Sequence, residues 1–404
     1  MNRKHIDIVA SLLLAIFLAI SAVHFVNKAF NFRPWDYSIN WTAAMALRAN
    51  VPLYNKAALH AIAAENIDVN IRGIFTGPYN SFIGLPTTAM LHLPFTFLSF
   101  ENSVQVYRVF CLAAMLLSLF LVGLCVQKHL RVRAWLVGLL CLLCWEAPVF
   151  SLQLGQVDVW VILALAVSLF SIHRERWVLA GAGIGIATLL KLSPGLLLLY
   201  CVLQRRWIVG MSAAIVFLVG IVMSAVPDGG ANLIQYWHGV LPGLGDSTRQ
   251  IQNQALGAFF ARLFEPDNNL MSFANATGVW KYAGIGVSLS LLGMLYFRNR
   301  SVNLNASDVS LVIFLALLAG PLSWDHYLSW AMLPVMLLAT RLSPKQLLLL
   351  ALLLLPMVFP VYYVKPEQVA ANDWWRCITG VQTLSIFLIA VWAVFQAGSQ
   401  KSNI

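Results

Sequence analysis

The sequence predicts an all-α polytopic membrane protein, and three observations carry that prediction. Of the 404 residues 60% are hydrophobic and only 10% are charged, and the mean hydropathy is +0.77, values that belong to chains dissolved in lipid rather than water. Apolar windows recur along the whole length, which makes residues 1–404 one integral-membrane domain rather than a soluble domain with an anchor. Runs such as SLLLAIFLAI, Ser11–Ile20, lack the polar and apolar alternation of a barrel strand, leaving helices as the elements that satisfy their own backbone in lipid.

The elements follow in order. Candidate spans lie at about 8–26, 104–126, 134–154, 158–172, 177–203, 208–226, 279–297, 308–323, 327–340, 346–363 and 377–396. Several fall short of the roughly 20 residues of a full crossing, and the set predicts about 10–12 membrane segments. The N-terminal MNRKH followed by an apolar run has a signal-peptide outline, but no small-x-small cleavage site follows, so the run is read as a first membrane helix. The net charge of +10 is gathered in short clusters between spans: Arg3-Lys4, Lys128 with Arg131 and Arg133, Arg174 with Arg176, Arg205-Arg206, Arg298 with Arg300, Arg341 with Lys345, and Lys401. Such clusters are topology signals of a cytoplasmic face rather than a nucleic-acid surface.

With those clusters inside, the loops at about 28–81 and 227–278, and the stretch 364–376, face outward. Segment 177–203 then has cytoplasmic charges at both ends, so it is expected to fold as a hairpin broken at KLSP, Lys191–Pro194, because proline cannot continue a hydrogen-bonded helix. Segment 82–100, with Pro86 and Pro94, is expected to be short, tilted or re-entrant. In the first outer loop Thr42–Arg48 and Lys56–Glu65 are predicted as interfacial helices separated at Pro52. The cysteines lie in or at apolar runs, and Cys141-x-x-Cys144 is read as two small helix residues rather than a redox or zinc motif.

Chemistry is sought among ionisable groups in or beside the apolar core, since each costs roughly 2.5–3.5 kcal/mol even on a lenient insertion scale. The set is Asp36, Glu146, Asp158, Lys191, Asp325 and His326, with Gln153, Gln156, Gln252, Asn253 and Gln254 as polar companions. The topology brings Asp36, Gln156, Asp158, Lys191, Asp325 and His326 toward the outer leaflet or the middle of the membrane, which predicts one outward-facing cavity. Each residue also has a structural reading. Asp36 is suited to cap a helix N-terminus, Lys191 to snorkel or cap a turn, Asp158 and Lys191 to pair with buried charges, and His326 to bond a neighbouring helix. Trp35, Trp41, Trp237 and Trp324 fit interfacial anchors as well as sugar-stacking platforms.

Six stretches in order resemble the polyprenol-phosphate-dependent glycosyltransferases of the GT-C superfamily, most closely glycosyltransferase family 87, which includes bacterial mannosyltransferases. They are WDYSINWTAAMALRANVPLY, LPTTAMLHLPFTFLSF, LGQVDVWVILALAV, RERWVLAGAGIGIATLLKLSPGLLLLYCVLQRRW, NQALGAFFARL and GPLSWDHYLSWAMLP. The resemblance implies a GT-C-type helical bundle whose outward loops carry interfacial helices. It implies an acid of the first outer loop, Asp36, as general base, and polar positions at Gln156, Lys191, Asn253, Gln254, Arg262 and His326 as substrate ligands, with Asp158 and Asp325 beside them. Asp158 stands where the family more often has asparagine, and Leu85-Pro86-Thr87 where it has YPP; both departures leave substrate identity open.

The expected activity is therefore an inverting transfer of a sugar, first mannose, from a polyprenyl monophosphate to an extracytoplasmic lipid or glycan acceptor, in a multi-pass protein of the inner (plasma) membrane. Membrane lipids are its surroundings and nucleic acid is not a partner. No cofactor is expected, the lipid-linked sugar being a substrate, while a divalent metal stays open because no histidine or carboxylate cluster has ligand spacing. The rival from another class is a lipid or sugar transporter or flippase, which predicts paired broken helices in the two halves; the sequence has one such break, at Lys191–Pro194.

Overall fold

The structure, a computed structural model, describes residues 3–31, 33–68, 82–244, 250–264, 278–299, 304–359 and 378–396. Helix α1 (Arg3–Ala29) is the first span, and two shorter helices follow it, the largely buried α2 (Trp35–Arg48) and the more exposed α3 (Lys56–Asn66). α2 starts at Trp35 rather than at Thr42, because Pro34 precedes it with a fixed φ and its carbonyl accepts from the Ser38 amide at 2.9 Å. α4 (Pro86–His92) runs into a 3-10 turn at Leu93–Phe97, and the pair is too short to cross, as expected of 82–100.

α5 (Phe100–Gly123) is a full span of 24 residues. The window 134–154, expected as one span, is instead α6 (Arg131–Cys144) and α7 (Glu146–Leu154), bent by 61°. Pro148 has no N–H to return to the carbonyl of Cys144, so the ladder of α6 ends there and a new helix begins. α8 (Asp158–His173) and α9 (Trp177–Leu190) are antiparallel neighbours. α10 (Gly195–Leu203) follows the break at Lys191–Pro194. Its end has turned back, for the guanidinium of Arg206 lies 5.2 Å from the ring of Trp177, where α9 began. The expected hairpin is therefore the observed one.

α11 (Trp207–Ala225) packs on α9. Small residues allow this closeness: a Cβ on Gly185 would lie 2.6 Å from the Ala213 carbonyl on α11, and on the opposite face one on Gly183 would meet Ala164 and Ser168 of α8. Van der Waals fit at such small-residue stripes replaces the hydrophobic drive that lipid cannot supply. The chain continues through α12 (Ala231–Gln235), α13 (Leu256–Phe264), α14 (Gly278–Asn299) and α15 (Ala306–Ala319). A 3-10 turn at Asp325–Ala331 leads into α16 (Met332–Ala339), followed by α17 (Pro344–Leu354) and α18 (Val381–Gln396).

Among the described residues four helices are long and apolar enough to cross a membrane: Ser11–Ala29, Phe100–Gly123, Trp207–Asp228 and Val279–Asn299. The bent pair makes up to five, and five shorter apolar helices lie among the described residues. The protein is an all-α polytopic membrane protein.

The helix ends sort into two groups. His173, Trp177, Arg206 and Asn305 line one hollow, Asn305 bonds Asp308, Arg341 lies 3.9 Å from Asp308, and Arg133 donates to the Leu342 carbonyl. This basic rim is where α8 and α10 end and where α9 and α15 begin. The opposite ends of α8, α9 and α15, with the start of α16, surround the cavity described next.

Candidate active site

Beside α2, α4 and the break after α9 lies a cavity of about 610 Å³. Its wall is apolar through Ile39, Leu85, Leu154, Leu189 and Leu322, and polar through Asp36, Gln156, Lys191, Gln252, Asp325 and His326. An apolar wall with a few convergent polar groups is the ordinary make-up of a small-molecule site.

Asp36 sits in the first turn of α2 after the cap residue Pro34, so the expected N-cap role is not what it does. Its carboxylate instead accepts a hydrogen bond from the Gln156 side-chain amide. Two features place this pair. Arg108 of α5, 1% exposed, donates to the carbonyls of Phe30, Asn31 and Gln153 at 3.3, 3.1 and 2.7 Å, tying the lead into α2 to the end of α7. Gly155 ends α7 at φ +69°, and a Cβ there would come within 2.5 Å of that of Tyr37. Only glycine lets the two elements meet so closely.

Asp158 opens α8 and is fully buried. One carboxylate oxygen accepts from the Trp330 indole at 3.0 Å and lies 3.1 Å from the Lys191 ammonium; the other is 3.3 Å from Lys191. Lys191, at the helix break, holds its ammonium 3.3 Å from the centroid of the Tyr327 ring. The His326 ring lies between two acids, Nε2 at 3.4 Å from Asp158 and Nδ1 at 3.5 Å from Asp325, and neither contact has hydrogen-bond alignment. The structure thus brings Asp36, Gln156, Lys191, Asp325 and His326 to the cavity and sets Asp158 behind Lys191.

Burial pushes the Asp36 carboxyl up to about 6, against the pull of the Gln156 hydrogen bond and the Lys191 charge. Burial likewise raises Asp325 to about 7, opposed by the bond from the His326 backbone N–H and aided by neighbouring carboxylates. Carboxyls held near neutrality are suited to take up and return protons.

The remaining expected ligands lie elsewhere. Asn253 is fully buried, its side chain accepting from the amides of Ser323 and Ala255 and donating to the Pro321 carbonyl. Gln254 donates to the carbonyls of Ile251 and Thr379 and accepts from the Thr383 hydroxyl. Arg262 donates to the carbonyls of Gln250 and Asn253. All three spend polar atoms on the backbone that carries Gln252 and Trp324, and none lines the cavity.

Glu146 pairs with Lys28 at 2.6 Å, joining α7 to α1. Of the four tryptophans weighed as anchors or sugar platforms, Trp35 and Trp237 are exposed, Trp41 is buried and bonds the Phe95 carbonyl, and Trp324 lines the cavity. Sequence reasoning passed over Tyr327 and Trp330, whose rings stack at 5.3 Å. Their spacing of three, the repeat of a 3-10 turn, was the available signal. It also passed over Arg108, an arginine within an apolar span and by that fact alone informative. Among the described residues no group of three or more histidine, cysteine or acidic side chains converges to hold a metal ion.

Fold and cavity together define a class, a polytopic membrane protein with a polar site walled by apolar residues. The chain belongs to glycosyltransferase family 87, whose sequence model matches residues 82–321. Asp36 lies ahead of the matched region and reaches the cavity on α2. Three relatives are named as polyprenol-phosphate-mannose-dependent α-(1-2) mannosyltransferases. The pentamannoside enzyme of Mycolicibacterium smegmatis is 27% identical over 263 residues, 62% of this chain and 59% of the relative. Its namesake in Mycobacterium tuberculosis is 28% identical over 200 residues, 48% of this chain and 42% of the relative. A phosphatidylinositol mannoside enzyme of Mycobacterium tuberculosis is 25% identical over 335 residues, 76% and 75% of the two chains. The chain thus spans about half the length of the first two.

Proposed function

We propose that the protein is an inverting glycosyltransferase that moves a sugar, first mannose, from a polyprenyl monophosphate to the hydroxyl of a lipid or glycan acceptor. The observation that carries this reading is the cavity itself, where a carboxylate with a near-neutral pKa and an ammonium share a site with apolar walls. Family membership and the donors named for the three relatives support it.

The residues take roles that their chemistry allows. Asp36, oriented by Gln156, accepts the proton of the acceptor hydroxyl as that oxygen bonds the anomeric carbon. The bond from the anomeric carbon to the phosphate oxygen breaks, and the electron pair leaves with the lipid phosphate, which gains negative charge. The Lys191 ammonium, fixed before the reaction begins, faces that charge. Asp325 and His326 are assigned to sugar or acceptor hydroxyls. Asn253, Gln254 and Arg262 are assigned to holding the loop that closes the cavity rather than to substrate. No cofactor enters this scheme. In this reading the cavity opens to the extracytoplasmic side of the inner membrane, an orientation supported by the basic rim at the opposite helix ends.

The test is transfer in nanodiscs from radiolabelled polyprenyl phosphate mannose to a native membrane lipid extract, with a chelator control. Wild type is expected to transfer label. Asp36→Asn keeps size and hydrogen-bond acceptor but loses the base, and is expected to be slower by about 10²- to 10⁴-fold in a protein whose melting temperature is no lower than that of wild type. Equal rates in both proteins remove Asp36 from the chemistry.

A further inference from the structure

We propose that Asp158 is a positioning residue: anchored by Trp330, it fixes the Lys191 ammonium on the cavity wall where an anionic lipid phosphate is met. This deepens the function proposed above and rests on it for the identity of the anion. Asp158 itself has nothing left for a ligand. It is fully buried, and its two oxygens are taken up by Trp330 at 3.0 Å, by Lys191 at 3.1 and 3.3 Å, and by the facing edge of His326 at 3.4 Å. Lys191, by contrast, lines the cavity.

The lysine is held from two sides. Asp158 grips the ammonium, and the Tyr327 ring, 3.3 Å from it, closes the other side. Trp330 stacks on Tyr327 and bonds Asp158, so one 3-10 turn orients both walls of the lysine's slot. A free lysine is a point charge on a flexible stem. Here its rotamer freedom is removed before any ligand arrives, the condition under which a fixed charge acts most strongly on a developing one. Three separate segments meet at this carboxylate: the start of α8, the break after α9, and the turn before α16.

A merely structural ion pair makes a different prediction, and a double-mutant cycle separates the two. The readout is binding of a radiolabelled polyprenyl monophosphate to protein in nanodiscs, which needs no sugar transfer. Asp158→Asn is expected to weaken binding about tenfold in the Lys191 background and less than twofold in the Lys191→Met background, since Asp158 then has no ammonium to position. Lys191→Met alone is expected to weaken binding about tenfold or more. Trp330→Phe, which keeps the ion pair and loses one anchor, is expected to give a smaller loss that also vanishes without Lys191; it serves where Asp158→Asn fails to fold.

Equal losses in both backgrounds, no loss, or tighter binding in Asp158→Asn each overturn the proposal. Lysine-dependent binding in a wild-type protein that transfers no sugar overturns the proposed reaction and leaves the positioning role standing. Transfer together with an additive cycle does the reverse.

Discussion

Two carboxyls facing one cavity carry the consequences that belong to single residues. In its proposed role Asp36 takes a proton only when ionised, so the rate of transfer at limiting donor is expected to rise with pH through about 6 and level off above it. Stability runs the other way. A carboxyl whose folded pKa lies above its unfolded value binds its proton more tightly when folded, so its contribution is full at low pH and is lost as pH rises through the folded value. For Asp325 that window runs from the ordinary 3.8 to about 7. Wild type is therefore expected to lose melting temperature relative to Asp325→Asn between about pH 4 and 7, measured by thermal unfolding in detergent; a constant difference contradicts this. Asp36, Lys191, Asp325 and His326 were legible in the sequence because charge in an apolar run is costly and needs a reason. Tyr327 and Trp330 were not, because aromatic rings at a membrane surface look alike whether they anchor the protein or shape a slot. Asn253, Gln254 and Arg262 were read as ligands because a polar side chain gives no sign in sequence of whether it faces a cavity or a backbone.

At the scale of elements, the meeting of α7 with α2 hangs on Gly155. Its φ of +69° and the lack of room beside Tyr37 mean that Gly155→Ala adds both backbone strain and a clash. The expected cost is about 1–3 kcal/mol, read as a lower melting temperature, together with a lower transfer rate because Gln156 moves from Asp36. Full activity with wild-type stability would show that α7 can shift without harm. The break at Lys191–Pro194 was legible because two lines of argument met there, charge at both ends of 177–203 and a proline between. The bend between α6 and α7 was missed although Pro148 ends the α6 ladder, because the apolar run around it is continuous and was read as one span. The start of α2 was placed late because Trp35, Asp36 and Tyr37 resemble a surface loop until Gln156 is seen to receive Asp36 and Tyr107 to receive Tyr37.

For the whole molecule, basic clusters expected on one face gather at one end of the helices through Arg133, Arg206 and Arg341, with the cavity at the other. Composition made this part of the fold the most legible, since partition into lipid depends on sums over many residues rather than on any one. Sidedness can be tested by labelling, with native cysteines replaced. Ala231→Cys and Lys128→Cys place exposed thiols near the two ends. An impermeant maleimide on intact cells is expected to label the first, and the second only after permeabilisation; the opposite pattern would invert the topology. The hairpin of α9 and α10 carries one more implication. α9 has 14 residues, a rise of about 21 Å at 1.5 Å per residue, against a hydrocarbon core of about 30 Å. In the proposed orientation a helix of this length, rooted at the inner headgroups, ends short of the outer ones, and any tilt lowers it further. On the proposed function Lys191 is then a depth gauge: a lipid phosphate would have to sink, or the bilayer to thin around the hairpin, before reaching it, at a cost that grows with acyl length. The protein is expected to work faster in short-chain than in long-chain phosphatidylcholine nanodiscs, which makes membrane thickness a setting of its rate.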